Sequence, residues 1–215
     1  MRLIFIAAVL FFLNFQLWAD NNIFNYPLKP ETLGSFNRTC VRLAEHPIIK
    51  GNFEQEKRLN RLDRSLKSSG NFIIASEFGM VWETLQPFPS TMVLGNNYMM
   101  QFRPGGQKTV LSDDGNETFI RLAEILSAVF SGRSQTLINN FTIYYNGGSA
   151  GWELGLVPLD SAVASFALNI IMKGDSAIRS IVINEQNGDS ITYSLFSHTY
   201  PAGLNANERN LFTLP

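Results

Sequence analysis

Apolar and polar residues alternate in short runs along most of this chain. In two places the alternation gives way to a three- and four-residue rhythm. Phe53 and Gln55 share one strand face within Asn52–Lys57, and Phe72 and Ile74 share one within Asn71–Ala75. A charged connector, residues 58–70, separates these two runs. A third run, Gly79–Leu85, carries Trp82 and stops at Pro87-Phe88-Pro89. Thr91–Leu94 and Tyr98–Phe102 follow, joined by Gly95-Asn96-Asn97, which suits a hairpin turn. Pro104-Gly105-Gly106 then breaks the pattern.

The helical rhythm covers Glu31–Glu45 and Asn116–Ser131. In the first, Leu33, Phe36, Cys40 and Leu43 recur on one face and Pro47 marks the end. In the second, Phe119, Leu122, Ala123, Leu126 and Phe130 line one face, with Gly132 where a C-terminal glycine belongs. Beyond it the strands resume. Phe141–Tyr145 alternates and Gly147-Gly148 turns; Trp152, Leu154 and Leu156 share a face; Phe166, Leu168, Ile170 and Met172 alternate. Turns at Lys173-Gly174-Asp175 and Asn187-Gly188-Asp189 set off Ile178–Asn184 and Ile191–Phe196.

Short strands at this spacing predict an antiparallel meander of eight to eleven strands. The fold class is mainly β (α+β), with a curved sheet that must close or be covered. The two helices are apolar enough to be covers. The periodicities alone allow any helix-covered antiparallel sheet. No repeat or low-complexity linker divides residues 20–215, so they read as a single domain.

The first residues, MRLIFIAAVLFFLNFQLWAD, change the picture of location. Arg2 is followed by the apolar run Leu3–Leu13, too short to span a bilayer as a stable helix. Residues 1–19 read as a cleaved secretory signal; the alternative is a retained N-terminal anchor. No cysteine sits nearby to take a lipid, and the sole cysteine, Cys40, leaves no intrachain disulfide. Cys40 lies in the helical pattern and reads as a small buried hydrophobe. A formal net charge of −1 argues against nucleic acid as a partner.

Candidate chemistry is sparse. His46 precedes Pro47 at a helix end, where it can meet the last carbonyls, and His198 sits in a polar stretch before Tyr200-Pro201. No zinc-protease, Cys/His or nucleophile-elbow pattern occurs. Asp113-Asp114 precedes a helix, where capping explains it. The reading is no enzyme, no metal and no cofactor. Sequons occur at Asn37, Asn116 and Asn140; Asn37, within a helical pattern, and Asn140, opening a strand, read as structural. Lys50, Lys57, Arg58, Arg61, Arg64 and Lys67 are interleaved with Glu54, Glu56 and Asp63. They form either a solvated connector or a contact surface for an acidic partner or lipid headgroups. The positive signal is aromatic and methionine content. Phe72, Met80, Trp82, Met92, Met99, Met100, Phe102, Phe141, Trp152, Phe166 and Met172 all fall on predicted strands. A curved sheet has one inner face, where such residues pack on covers or line a cavity.

Residues 51–90 carry G-x-F-x-Q, then S-S-G-x-F, then G-x-x-W-E-x-x-x-P-F. In these motifs, their order and their spacing, the chain resembles the bacterial outer-membrane lipoprotein carriers, the LolA-like proteins. The resemblance runs from about Ser35 to the C-terminus: Val157-Pro158, Ser165–Ile171, Ile178–Asp189 and Tyr193-Leu195 are similar to the family's second half, and the ending, Asn210-Leu211-Phe212 after Tyr200-Pro201, is looser. The resemblance implies an incomplete antiparallel β-barrel of about eleven strands covered by helices, with a hydrophobic cavity between. It implies a monomeric periplasmic carrier that takes an acylated lipoprotein from an inner-membrane donor complex to an outer-membrane acceptor. The cavity residues it points to are Phe53, Phe72, Ile74, Met80, Trp82, Phe88, Met92, Phe102, Phe119, Leu122 and Leu126. The best-known carriers place a functional arginine a few residues before the tryptophan; here Ser76-Glu77-Phe78-Gly79 occupies that stretch. In the wording SSGNF…GMVWETLQPFPST the chain is similar to LolA-related proteins found beside lipid, glycolipid or aryl-polyene synthesis genes. Another lipid as cargo, a non-carrying envelope assembly protein, and an enzyme acting on lipid remain as alternatives.

Overall fold

The computed structural model describes residues 22–95, 98–102, 108–111, 128–129 and 132–214. The predicted helix Asn116–Ser131 lies outside the described residues except for Ala128 and Val129, which are helical and buried.

Helix α1 spans Pro30–Leu43. Proline at its first turn needs no hydrogen-bond partner. The Thr32 hydroxyl accepts from the Lys29 backbone N–H at 3.0 Å, and the helix stops short of Pro47, as a residue before proline disfavours the helical region. Eleven strands follow in one sheet. They are β1 (Ile48–Leu59), β2 (Arg64–Ala75), β3 (Gly79–Gln86), β4 (Ser90–Leu94), β5 (Met99–Phe102) and β6 (Lys108–Leu111), then β7 (Phe141–Gly148), β8 (Gly151–Pro158), β9 (Ala167–Gly174), β10 (Ile178–Glu185) and β11 (Ser190–Thr199). Three short helices complete the described chain: α2 (Ser134–Asn140), α3 (Ser161–Phe166) and α4 (Ala206–Leu211).

The strand order is β6-β5-β4-β3-β2-β1-β11-β10-β9-β8-β7, antiparallel throughout. Two meanders therefore meet where β1 pairs with β11. Edge strands β6 and β7 do not pair, so the barrel is incomplete. The β7 edge is blunted by the chain's own start. Tyr26 and Leu28 exchange backbone hydrogen bonds with Tyr145 and Ile143, and Pro27 bridges Tyr144.

The inner face carries the large core. Phe36, Cys40 and Leu43 of α1, Ala128, Val129 and Leu137 pack on inward residues of β1–β3 and β7–β11. On the outer face of β2–β5 a second cluster, including Val81, Val93 and Met100, is covered by Leu204, Leu211 and Phe212. The Tyr98 hydroxyl donates to the Phe212 carbonyl there, and Lys50 pairs with Glu208 at 2.5 Å.

Several local expectations are corrected. The charged stretch 58–70 is not a connector. β1 and β2 pair without interruption down to Leu59 opposite Arg64, and a single 3-10 turn, Asn60–Leu62, reverses the chain with Asp63 left-handed at φ 45°. An aspartate tolerates that conformation better than most residues. Gly147-Gly148 belongs to β7, and the turn falls at residues 149–150 before Gly151 at φ +141°. Phe166 ends α3 rather than opening a strand. Leu168 is half exposed because a register shift between Asn184 and Glu185 turns Ala167, not Leu168, inward beside Ile170 and Met172. Asn140 closes α2, its side chain donating to the Thr136 carbonyl at 2.7 Å.

Glycines fix the β1–β2–β3 register. A Cβ on Gly70 would lie 1.8 Å from the Glu83 carbonyl oxygen and 3.0 Å from the Phe53 ring. A Cβ on Gly51 would lie 2.7 Å from the Phe72 ring. Gly70→Ala is expected to cost at least about 2 kcal/mol through overpacking against backbone. Urea unfolding checks this, and a midpoint equal to wild type would refute the close approach.

Candidate functional site

The sequence motifs of residues 51–90 become one constellation through register. Gly51 of β1 lies opposite Phe72 of β2, and Phe53 lies opposite Gly70. Each glycine sits beneath the phenylalanine of the other strand, and the missing Cβ lets that ring lie across the neighbouring backbone. Phe72 also faces Trp82 of β3. Because Gly70 raises no side chain between them, Phe53 and Trp82 stack across β2 with centroids 4.2 Å apart. Phe72 stacks on Trp82 at 5.9 Å, and Tyr193 of β11 meets Trp82 edge-on at 5.3 Å.

The intervening residues share the other face. The Asn52 amide donates to Asn71 Oδ1 at 2.7 Å, and the Asn71 amide donates to Glu83 Oε2 at 3.2 Å. Thus G-N-F, G-N-F and W-E build an aromatic floor inside and a polar ladder outside.

Phe53, Phe72, Ile74 and Met80 are buried in the inner core, and Trp82 is half-buried against it. Met92 pairs with Trp82 on the same face and is half-buried. Phe102 stands on the opposite face, packed on the cluster of Val93, Met100 and Phe212. Phe88, in the loop between β3 and β4, is 82% exposed. Phe119, Leu122 and Leu126 lie outside the described residues. The structure thus brings together six of the predicted residues and sets Phe102 and Phe88 elsewhere. It adds Tyr193 and Leu195, whose alternation with Ile191 was the available signal.

Cover and floor are held at different places. The Tyr145 and Thr39 hydroxyls hydrogen-bond at 2.7 Å, and Phe36 meets Tyr145 edge-on at 5.7 Å, fixing α1 over β7. Trp82 lies on the other meander. Near the floor's end, Lys57 donates to Glu185 at 2.9 Å, and the Glu185 side chain is only 5% exposed. Burial, with the Glu185 charge as the second cause, pushes the Tyr193 phenol up to about 12.

The histidines stand apart from the floor's centre. His46 stacks on Tyr200 at 4.0 Å instead of meeting helix carbonyls. His198 lies within β11, contacts Arg179 at 3.2 Å and meets Phe72 edge-on at 5.6 Å. Burial and then the Arg179 charge lower its pKa. Arg179 is held by Asp175 at 3.0 Å. No cluster of three or more potential metal-ligating side chains occurs among the described residues. No helix among the described residues is long and apolar enough to cross a membrane.

Fold and site together define an incomplete antiparallel β-barrel with an aromatic inner floor and helical covers. The chain is similar in structure to a LolA superfamily protein from Nitrosomonas europaea, at 9% identity and TM-score 0.49, over 84% of this chain and 97% of that one. It is similar to an outer-membrane lipoprotein-sorting protein domain from Vibrio parahaemolyticus, at 11% identity and TM-score 0.46, over 89% and 99%. A third likeness is to a DUF1329 family protein from Desulfovibrio piger, at 8% identity and TM-score 0.45, over 80% and 94%. No family model and no curated protein matches the sequence.

Burial raises the Cys40 thiol to about 11. At pH 8 its thiolate fraction is about a hundredfold below that of an ordinary cysteine. Thiol labelling is expected to be slower by about that factor in the native protein than in denaturant. Equal rates would place Cys40 outside the core.

Proposed function

We propose that this chain is a periplasmic carrier of acylated cargo, delivered by the signal at residues 1–19. The inner aromatic floor would hold the acyl chains while the polar part of the cargo stays outside. The supporting observation is the stack of Phe53, Trp82 and Tyr193, a wide apolar surface whose centre, Trp82, is only half-buried. Such a surface on one face of an unclosed sheet suits a long, flexible apolar ligand. A lipoprotein taken from an inner-membrane donor to an outer-membrane acceptor is the cargo that the sequence resemblance suggests. Ser76-Glu77 in place of the arginine favours another amphiphile, a glycolipid or aryl polyene, as the second candidate.

Magnitudes set how such a carrier works. Each buried CH₂ is worth about 0.8 kcal/mol, so a sixteen-carbon chain gains on the order of 12 kcal/mol on leaving water. A carrier recovering all of that could not release its load. Phe36, Cys40, Leu43, Ala128 and Val129 already pack into the inner core. Admitting a chain costs part of that packing, which offsets the gain and leaves a reversible affinity.

A competing reading, a non-carrying envelope assembly protein, draws on Phe53 at 0% and Phe72 at 1% exposure, as in an ordinary core. Native mass spectrometry of protein purified without detergent separates the two. An acylated species that co-purifies, or that loads when a diacylated lipopeptide or phospholipid is offered, is the expected result. A protein that stays empty throughout overturns the carrier. Trp82→Ser is expected to weaken loading about tenfold or more, from the loss of one large apolar contact.

A further inference from the structure

The tip of the β1–β2 hairpin combines exposed leucines with clustered arginines. β3 ends at Gln86 opposite Ser69, so residues 64–68 of β2 run on past it. At about 3.3 Å per residue that is roughly 16 Å of strand. On the other side β11 begins at Ser190 opposite Arg58, and the β10–β11 turn reaches the tip, where the Asn60 N–H donates to Asp189 Oδ1 at 2.9 Å. Leu62 is 64% exposed and Leu66 is 58% exposed. Arg58, Arg61, Arg64 and Lys67 against Asp63 leave +3 on residues 58–67, in a chain of net charge −1. Arg58 and Lys67 have distant carboxylate partners, Asp63 at 3.7 Å and Glu56 at 3.9 Å. Arg61 and Arg64 are exposed and make no ion pair or side-chain hydrogen bond with the described residues.

We propose that this tip docks on an anionic phospholipid bilayer. Arginine guanidinium groups match phosphate oxygens two at a time and stay charged. Exposed leucine beside arginine at this tip supplies the apolar half of interfacial binding, with the arginine stems lying along the acyl boundary. A folded acidic partner would need a fitted pocket for each leucine; a bilayer needs none. The inner face of β2 runs from Leu66 through Ser68 and Gly70 to Phe72 by strand alternation. A docked bilayer would therefore meet the strand face that leads to the aromatic floor. The docking stands whether or not the floor takes cargo.

Vesicle flotation of the purified protein tests it, with phosphatidylglycerol–phosphatidylcholine vesicles against pure phosphatidylcholine at low salt. Wild type is expected to float with the anionic vesicles only. Arg61→Gln with Arg64→Gln should weaken this about 25-fold, at roughly fivefold per charge, while Arg61→Lys with Arg64→Lys retains most of it. Leu62→Ser with Leu66→Ser should weaken it at every salt concentration. Thermal unfolding confirms that these exposed substitutions leave the fold intact. Undiminished flotation of the glutamine or serine pair overturns the proposal, as does wild type that fails to float. Binding to soluble polyglutamate as tight as to vesicles, unaffected by the serine pair, overturns it in favour of an acidic protein.

Discussion

The reciprocal pairing of glycine and phenylalanine across β1 and β2 is the constraint on which this architecture turns. Gly51 beneath Phe72 and Gly70 beneath Phe53 fix the hairpin register. A slip by one residue would exchange the aromatic floor for the asparagine ladder of Asn52 and Asn71. The same glycines remove the side chains that would separate Phe53 from Trp82, so a third strand joins the stack. Register, twist and inner-face chemistry are thus one decision. A strand glycine ordinarily weakens a sheet; here the rings that cover Gly51 and Gly70 offset that cost.

From that hairpin the chain builds outward twice. β2 to β6 adds strands on one side, and β11, reached last, closes on β1 from the other. The chain from Leu111 to Phe141 must pass from one sheet edge to the other. Ala128 and Val129 sit in the inner core on that route, beside Leu137 and α1. Ala128 and Val129 thus help to cover the inner face of a sheet whose edges do not meet. The N-terminal Tyr26–Leu28 and the C-terminal Leu204–Phe212 secure the β7 edge and the outer face.

Much of this was legible in the sequence. Alternation in Phe141–Tyr145 and at Trp152, Leu154 and Leu156 placed inward residues correctly, because a half-buried strand writes burial with a period of two. Leu168 escaped because a bulge changes the parity locally, and no residue type announces it. The arm 64–67 escaped because a strand solvated on both faces lacks an apolar alternation, and Ser68-Ser69-Gly70 escaped because small residues write none even where Gly70 is buried. The short helices Ser161–Phe166 and Ala206–Leu211 escaped because six residues show less than two turns of periodicity. Their caps were visible in hindsight: Asp160 accepts from Ala162 and Val163, and Asn205 and Glu208 form a reciprocal box. Phe102 and Met92 are both apolar residues on adjacent strands, but pairing with Thr91 puts Phe102 on the other face, and sequence alone does not carry that register.

The floor and the covers differ in how they resist change. Phe53, Phe72 and Trp82 are locked by backbone register, so displacing them means unpairing strands. α1 is held through side chains at one end of the sheet, by Thr39 on Tyr145 and by apolar contacts. Separating packed side chains leaves the backbone ladder intact, while shifting the floor does not. Any opening of this molecule is therefore a motion of the cover against a fixed aromatic surface. The half-buried edge of that surface, at Trp82 and Met92, lies away from β7, where α1 is anchored. If the proposed carrier function holds, an entering apolar chain would meet least resistance there, because the register that fixes the floor also leaves this edge half-buried.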